Sequence, residues 1–357
     1  MLTHLQYTHM DILNKKIYIL SPYPHGTAPS QRFRYEQYIE QFKNKGWNVL
    51  YKNGLMFQKI IIMMTGFLRR FRLLFKIKKS DYIFVHREMA HFGPPVFEFL
   101  TAKLLRVKYI YDFDDAIWIP NYSESNANFQ WIKCFWKVKY SIKWASTVTV
   151  GNQYLADYAK KYNPNVIVIP TTIDMENHHN ETIDYQNEKI CVGWTGSHST
   201  MHYLNAIVDV IKKLETEFNF SFVIISDKKP DFETKSLKFI KWNKETEIKD
   251  LSTFSIGIMP LVEDQWSKGK CGFKALQYMS LGIPSVLSPV GVNLDIIKNG
   301  ENGFLATTNE DFYRYLKQLI ENQETRKRIG LEGKATVKAR YSVEANLSKY
   351  LQLFDKN

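Results

Sequence analysis

Short apolar runs alternate with amphipathic stretches along the whole chain, and they form two similar series. In the first, Lys16–Leu20 (KIYIL), Trp47–Tyr51, Asp81–His86 (DYIFVH), Lys108–Tyr111, Thr147–Val150 and Val166–Pro170 (VIVIP) are apolar along their length rather than on alternate positions. That is the pattern of parallel strands covered on both faces. In the second, Ile190–Trp194 (ICVGW), Phe220–Ile225, Leu237–Lys241, Ile256–Met259 and Ile283–Leu287 repeat it. Helical spacing lies between them. The pattern predicts helices over Gln31–Lys45 (stopped by Gly46), Phe92–Leu105, Trp131–Trp144 and Gly151–Lys161. Further helices are expected over Phe273–Leu281, Asp311–Asn322 and Thr325–Lys338, and in a last segment ending at Phe354. Strand–helix alternation of this kind predicts an α/β fold, and 357 residues suit two domains. The expected division is a loose tail over 1–14, a first domain over 15–175, a polar linker over 176–188, a second domain over 189–340 and a C-terminal helix over 341–357.

Composition narrows the partners. A hydrophobic fraction of 45% excludes a disordered chain, and the formal net charge of +12 favours anionic partners: nucleic acid, anionic lipid or phosphorylated small molecules. Cys134, Cys191 and Cys271 are far apart and odd in number, as in a reducing compartment. The N-terminal residues lack a charged region followed by an apolar core, and no apolar run approaches the roughly 20 residues that span a bilayer. A cytoplasmic protein is expected, soluble or peripheral on the inner face of the membrane. Lys59–Ser80 carries many bases among apolar residues and no acid. Arg69, Arg70, Arg72 and Lys76 are therefore candidates for contact with an anionic membrane surface, although a sheet-covering helix has the same apolar face.

Three loops carry candidate chemistry. Ser267–Gly291 reads as loop, helix, turn and strand. Its opening residues, Gly269, Lys270, Cys271 and Gly272, precede a helix from Phe273, which Gly282 ends and Pro284 prevents from resuming. A glycine loop at a helix start offers N–H groups to an anion, and Lys268, Lys270 and Lys274 add charge there. A solvated lysine cluster would show the same spacing. The turn Thr195-Gly196-Ser197-His198 after the strand Ile190–Trp194 is a second anion-ready element, with Ser197 or Ser199 as N-cap. In the first half, the loop Ser21–Ser30 holds Gly26 and leads to Arg32 and Arg34, which are phosphate candidates or surface charge. Asp112, Asp114 and Asp115 follow the strand Lys108–Tyr111. Three carboxylates among aromatics are either used chemically or paired with cations.

Gln277-Tyr278-Met279-Ser280-Leu281-Gly282-Ile283-Pro284-Ser285-Val286 resembles the second half of the donor signature of GT-B glycosyltransferases of retaining family 4, E-x7-E followed by A-M-x-x-G-x-P-V. The two glutamates of that signature fall at Gly269 and Gln277 here, so the ribose contact would be uncharged and the sugar-facing acid is missing. The motif GKCGFK-x-x-QYM, the Asp112–Ala116 sequence D-x-D-D-A, the Val168–Asp174 phrase V-I-P-x-x-I-D and the Asn299–Leu305 turn also resemble members of that family. The resemblance implies two Rossmann-like domains facing across a cleft, with the final helix crossing back to the first. It implies a UDP- or GDP-sugar donor held by the second domain at Thr195, Gly196, Ser197, His198, Lys268, Lys270, Cys271, Gly272, Phe273, Lys274 and Gln277. A glycan or lipid-linked acceptor would sit on the first domain, near Gly26, Arg32 and Arg34, with Asp112, Asp114 and Asp115 as the catalytic acids. Retention of configuration, no metal and no other cofactor are implied, in surface polysaccharide or glycolipid assembly. The family supplies Arg and Lys after the glycine equivalent to Gly196; here the lysines 268, 270 and 274 take that part. Three other readings share features of the chain. D-x-D is a metal motif of GT-A enzymes, which lack a second such half. Asp112-Phe113-Asp114 is also similar to a phosphohydrolase nucleophile site, although Ala116 stands where that motif has Thr or Val. A basic nucleic-acid-binding protein would fit the charge, but the chain has no motif for it.

Overall fold

The computed structural model describes residues 16–53, 68–120, 133–186 and 189–355. The expected tail over 1–14, the first part of the basic stretch, the start of the Trp131–Trp144 helix and two linker residues lie outside the described residues. The chain divides into two units, 1–171 with 347–357, and 172–346.

The first unit holds a six-stranded parallel sheet of β1 (Lys16–Ser21), β2 (Asn48–Asn53), β3 (Tyr82–His86), β4 (Tyr109–Phe113), β5 (Thr147–Val150) and β6 (Val166–Val168), in the order β2-β1-β3-β4-β5-β6. β3 and β4 are buried along their whole length, as their unbroken apolar runs require. Helices α1 (Lys137–Trp144) and α2 (Gln153–Lys160) connect the later strands. Asn152 caps α2 by accepting a hydrogen bond from the Leu155 N–H.

The second unit repeats the plan with β7 (Cys191–Thr195), β8 (Ser221–Ser226), β9 (Leu237–Lys241), β10 (Ile256–Met259), β11 (Ser285–Leu287) and β12 (Phe304–Leu305), in the order β12-β11-β10-β7-β8-β9. Counted from β7 this is 3-2-1-4-5-6, the dinucleotide-fold order, with its switch point between β7 and β10. Its longer helices are α3 (Val208–Glu217), α4 (Phe273–Ser280), α5 (Asn309–Glu321) and α6 (Gln323–Arg340). A capping box between Thr308 and Asp311 starts α5. One core gathers Trp194, Leu204, Ile211, Ile258, Leu316 and Ile329, and a second gathers Cys191, Val223, Ile225 and Tyr278. The last helix, α7 (Val343–Asp355), runs across the second boundary. Its final turns pack within the first unit, Tyr350 on Tyr38 at 4.2 Å and Phe354 on Phe42 at 5.2 Å between ring centroids.

Four local expectations are corrected. The Gln31–Lys45 helix is broken into Pro29–Arg32, a 3-10 turn Glu36–Tyr38 and Ile39–Asn44. The reason is polar: Gln31, Arg32, Arg34 and Glu36 are all buried, and one helix face cannot turn all four inward. The Phe92–Leu105 segment is helical only from Val96 and ends in a π turn at Leu100–Leu104. Ser197 occupies the N-cap position of the turn His198–Met201, yet its hydroxyl pairs with that of Ser199 at 2.9 Å and caps no N–H. β4 extends to Phe113, so Asp112 lies inside a strand and not after one.

Candidate functional site

Open α/β sheets bind ligands beyond the carboxyl ends of their strands, at the switch point. In the second unit that place is the turn after β7. Thr195 ends the strand, and the Gly196 N–H donates to the Ile225 carbonyl at 3.1 Å. The side chain of Lys274, from the first turn of α4, lies directly over Gly196. A Cβ at Gly196 would fall 2.7 Å from Lys274 Cε and 2.7 Å from the Trp194 ring, so a side chain there would push the lysine or the ring aside. The fold therefore brings the turn and the lysine together from positions 78 residues apart.

Lys274 reaches this place because Gly272, at φ 69°, turns the chain into α4 in a left-handed conformation. A side chain there would also strike Ile296 at 2.4 Å. α4 starts at Phe273, so Lys270 belongs to the preceding loop and does not share a helix face with Lys274. The position of α4 is set by Tyr278. The ladder between β7 and β10 ends at Gly193 and Gly257. Beyond it the Thr195 N–H donates to the Tyr278 hydroxyl at 3.0 Å, and that hydroxyl donates to the Ile258 carbonyl at 3.3 Å.

The electrostatics of Lys274 are unusual. Burial, and then the charge of Lys270, bring its amine down to about 7. No carboxylate is among the causes of that shift, and Nζ lies 5.2 Å over the Trp194 ring. Lys270 Nζ lies 5.8 Å from the Trp266 ring. Lys268 is placed differently: it is half exposed and pairs with Glu263 at 2.9 Å. Cys271 is buried, its Sγ 3.8 Å from the Gly269 carbonyl oxygen. Gln277 is buried as well, and its amide donates to Glu247 Oε1 at 3.3 Å. The N–H of His198 already has an anion, since it donates to Asp227 Oδ1 at 2.6 Å.

In the first unit the carboxyl ends of β3 and β4 hold a denser cluster. Asp112 is fully buried, ion-paired with Arg34, 2.7 Å from His86 Nδ1 and 2.7 Å from the Thr149 hydroxyl that donates to it. Burial opposes its ionisation, but Arg34 and the His86 hydrogen bond outweigh burial and hold the carboxyl well below its usual range. Arg34 also donates to the Ile169 carbonyl. Arg34, expected as a phosphate candidate or surface charge, and Asp112, expected among the catalytic acids, are instead both buried and paired with each other. An interior, ion-paired Asp112 also excludes the phosphohydrolase reading, which needs it as an accessible nucleophile.

Asp114 and Asp115 keep 11% and 21% side-chain exposure. Arg87 binds Asp114 through Nε at 2.8 Å and Nη2 at 2.7 Å. Arg87 sits at φ 62°, a left-handed conformation that costs a non-glycine residue energy and marks a position fixed by its surroundings. His86 is buried, with Nε2 lacking a hydrogen-bond partner and standing 3.9 Å from Asp114 Oδ1. His86 and Arg87 were missed in the sequence, where they look like the ordinary end of an apolar strand. The Gly26 N–H is likewise occupied, donating to Glu36 Oε2 at 2.8 Å, while Arg32 is buried with its guanidinium 4.9 Å over the Phe33 ring.

The basic stretch is helical over 68–74. Arg69 and Arg72 are exposed there, as is Lys76 just beyond. Arg70 departs from the expectation of membrane contact: it is buried, and Nη2 donates to the Ser21 carbonyl at 3.4 Å. Leu68, Phe71 and Phe75 lie on the outer face. Among the described residues no helix is long and apolar enough to cross a membrane.

Residues 235–336 match the family model for glycosyl transferases group 1, a segment that includes the Lys274 helix. No curated protein gives a significant sequence match. Solved structures share the two-sheet α/β fold of GT-B glycosyltransferases over nearly the whole chain. Sucrose-phosphate synthase from Thermosynechococcus elongatus superposes with a TM-score of 0.69 at 11% identity, covering 96% of this chain and 98% of its own. Anabaena HepE, solved with UDP-glucose, gives 0.66 at 14% identity, covering 95% and 99%. A glycosyltransferase from Rickettsia africae gives 0.63 at 12%, covering 96% and 98%. Family match and fold together support a glycosyltransferase.

Proposed function

We propose that this protein transfers a sugar from a nucleotide diphosphate sugar to a saccharide or lipid-linked acceptor, with retention of configuration and without a metal. The observation that carries this reading is Lys274 lying over Gly196 at the switch point of the second unit. A partly desolvated amine with no ion pair among the described residues is a receptor for an anion. As the bond from sugar C1 to the diphosphate oxygen breaks, negative charge grows on the leaving group. Lys274, Lys270 and the N–H groups around Gly196 and Gly272 stabilise it where a metal would otherwise act. The acceptor hydroxyl oxygen forms the new bond to C1, and its proton passes to the departing phosphate. Asp114 and Asp115 are the acids assigned to the acceptor, with His86 and Arg87 as positioning residues. UDP-glucose in HepE makes a UDP-sugar the first donor to test. The exposed Leu68–Phe71–Phe75 face beside Arg69, Arg72 and Lys76 supports a peripheral place on an anionic inner membrane face, in polysaccharide or glycolipid assembly.

A thermal-shift screen of UDP, GDP, ADP and their sugars tests donor binding, and diphosphate release with and without EDTA tests the chemistry. Stabilisation by one nucleoside diphosphate and EDTA-insensitive release are expected. Release that EDTA abolishes would refute metal independence, and no stabilisation by any of them would refute the donor site.

A further inference from the structure

We propose a second lipid-docking surface on the first unit, built from α1 and the helical turn Val96–Phe99, which deepens the peripheral-membrane reading above. α1 carries large apolar groups on both faces. Its inner face buries Val138, Ser141 and Ile142, and also Lys137, whose amine pairs with Glu88 at 2.8 Å. Tyr140 and Trp144 on its outer face continue a stripe begun by its N-cap residue Trp136, at four-residue spacing. Trp136 is 51% exposed, and Phe99, which meets the Trp144 ring edge-on at 5.5 Å, is 48% exposed. Leu104, just beyond, is 69% exposed. Large apolar groups gathered at one surface are costly in water and mark something that covers them.

Charge identifies the cover. From Val96 to Lys108 and from Lys133 to Ser146 the single carboxylate is Glu98, and it is buried. Lys103 and Arg106, in the segment after Phe99, and Lys143 on α1 are exposed, and Lys139 lies 5.1 Å over the Tyr140 ring. Rings with a polar edge ringed by long cationic side chains match the headgroup region of an anionic bilayer. There the rings enter the interface while the amines reach the phosphates. Single-stranded nucleic acid fits less well. Trp136 and Tyr140 pack edge to face, as do Phe99 and Trp144, and Leu104 offers no plane for a base.

The test is co-sedimentation of the full chain with vesicles of phosphatidylcholine, with and without phosphatidylglycerol. The unmodified protein should bind only the anionic vesicles. Trp136→Ser, and separately the pair Lys139→Glu and Lys143→Glu, should each weaken binding by about tenfold. An unchanged melting temperature shows that these exposed changes leave the fold intact. A parallel variant, Phe71→Ser with Phe75→Ser, reads the helix at 68–74 alone. If it loses binding while both α1 changes keep it, the α1 surface is refuted and the earlier membrane reading stands. Tight binding to an oligonucleotide with none to vesicles would also overturn the proposal. Donor binding by thermal shift is independent of all these outcomes, so failure here is distinguishable from failure of the transferase reading.

Discussion

Both units carry a cluster of charge at the carboxyl ends of their central strands, and the two clusters are built on opposite principles. In the first, the acids have partners inside the protein: Asp112 meets Arg34, His86 and Thr149, and Asp114 meets Arg87. In the second, Lys274 is desolvated and repelled by Lys270, with the Trp194 ring as its neighbour. A satisfied network holds a shape; an unsatisfied cation waits for a ligand. On the proposed function, the difference separates residues that position from residues that bind, which residue type alone does not.

The contrast is broken most severely from the first unit. Arg34→Met strands the Asp112 carboxylate in the interior. It should cost about 3–5 kcal/mol of stability in denaturant unfolding, because removing one partner of a buried pair leaves an uncompensated charge. A loss under about 1 kcal/mol would show that water reaches Asp112. Lys274→Gln should do the reverse. It removes an unfavourable charge, so stability holds or rises, while turnover falls by about 100-fold. Equal loss of stability and activity would sink the distinction drawn here.

Acidity sharpens the comparison further. With its amine depressed to about 7, Lys274 is largely neutral in the free protein above that value. Diphosphate binding must then take up a proton, and affinity for UDP should fall by up to about tenfold per pH unit above it. Titration calorimetry in buffers of different ionisation enthalpy reads the uptake, and Lys274→Arg should abolish it. The same depression makes the unliganded fold more stable as pH rises above about 7, until the unfolded chain's lysines lose their protons. The smallest effect belongs to Lys268→Ala. Its pair with Glu263 is solvent-exposed, and turnover should change by no more than about twofold in steady-state assays.

Much of this was legible in the sequence. The apolar runs of β3, β7 and β10 announce parallel strands, and the places of Gly196 after a strand and Lys274 at a helix start single out the two residues that the fold brings together. Charge pairing across the sheet was not legible. Asp112 and Arg34 are 78 residues apart, and each alone looks like a surface ligand. Likewise Arg70 sits in a run of bases with nothing in its neighbours to reveal that it turns inward to Ser21. Periodicity reports which face of an element is apolar; it is silent on which polar residues find partners on another element.

The phenol of Tyr278 has a consequence of its own. It links Thr195 and Ile258 by side-chain hydrogen bonds at the point where the backbones of β7 and β10 stop pairing. Nucleotide affinity should therefore respond to the loss of one oxygen atom at position 278. That atom would act as a link in the seam, shaping the mouth without touching whatever enters it.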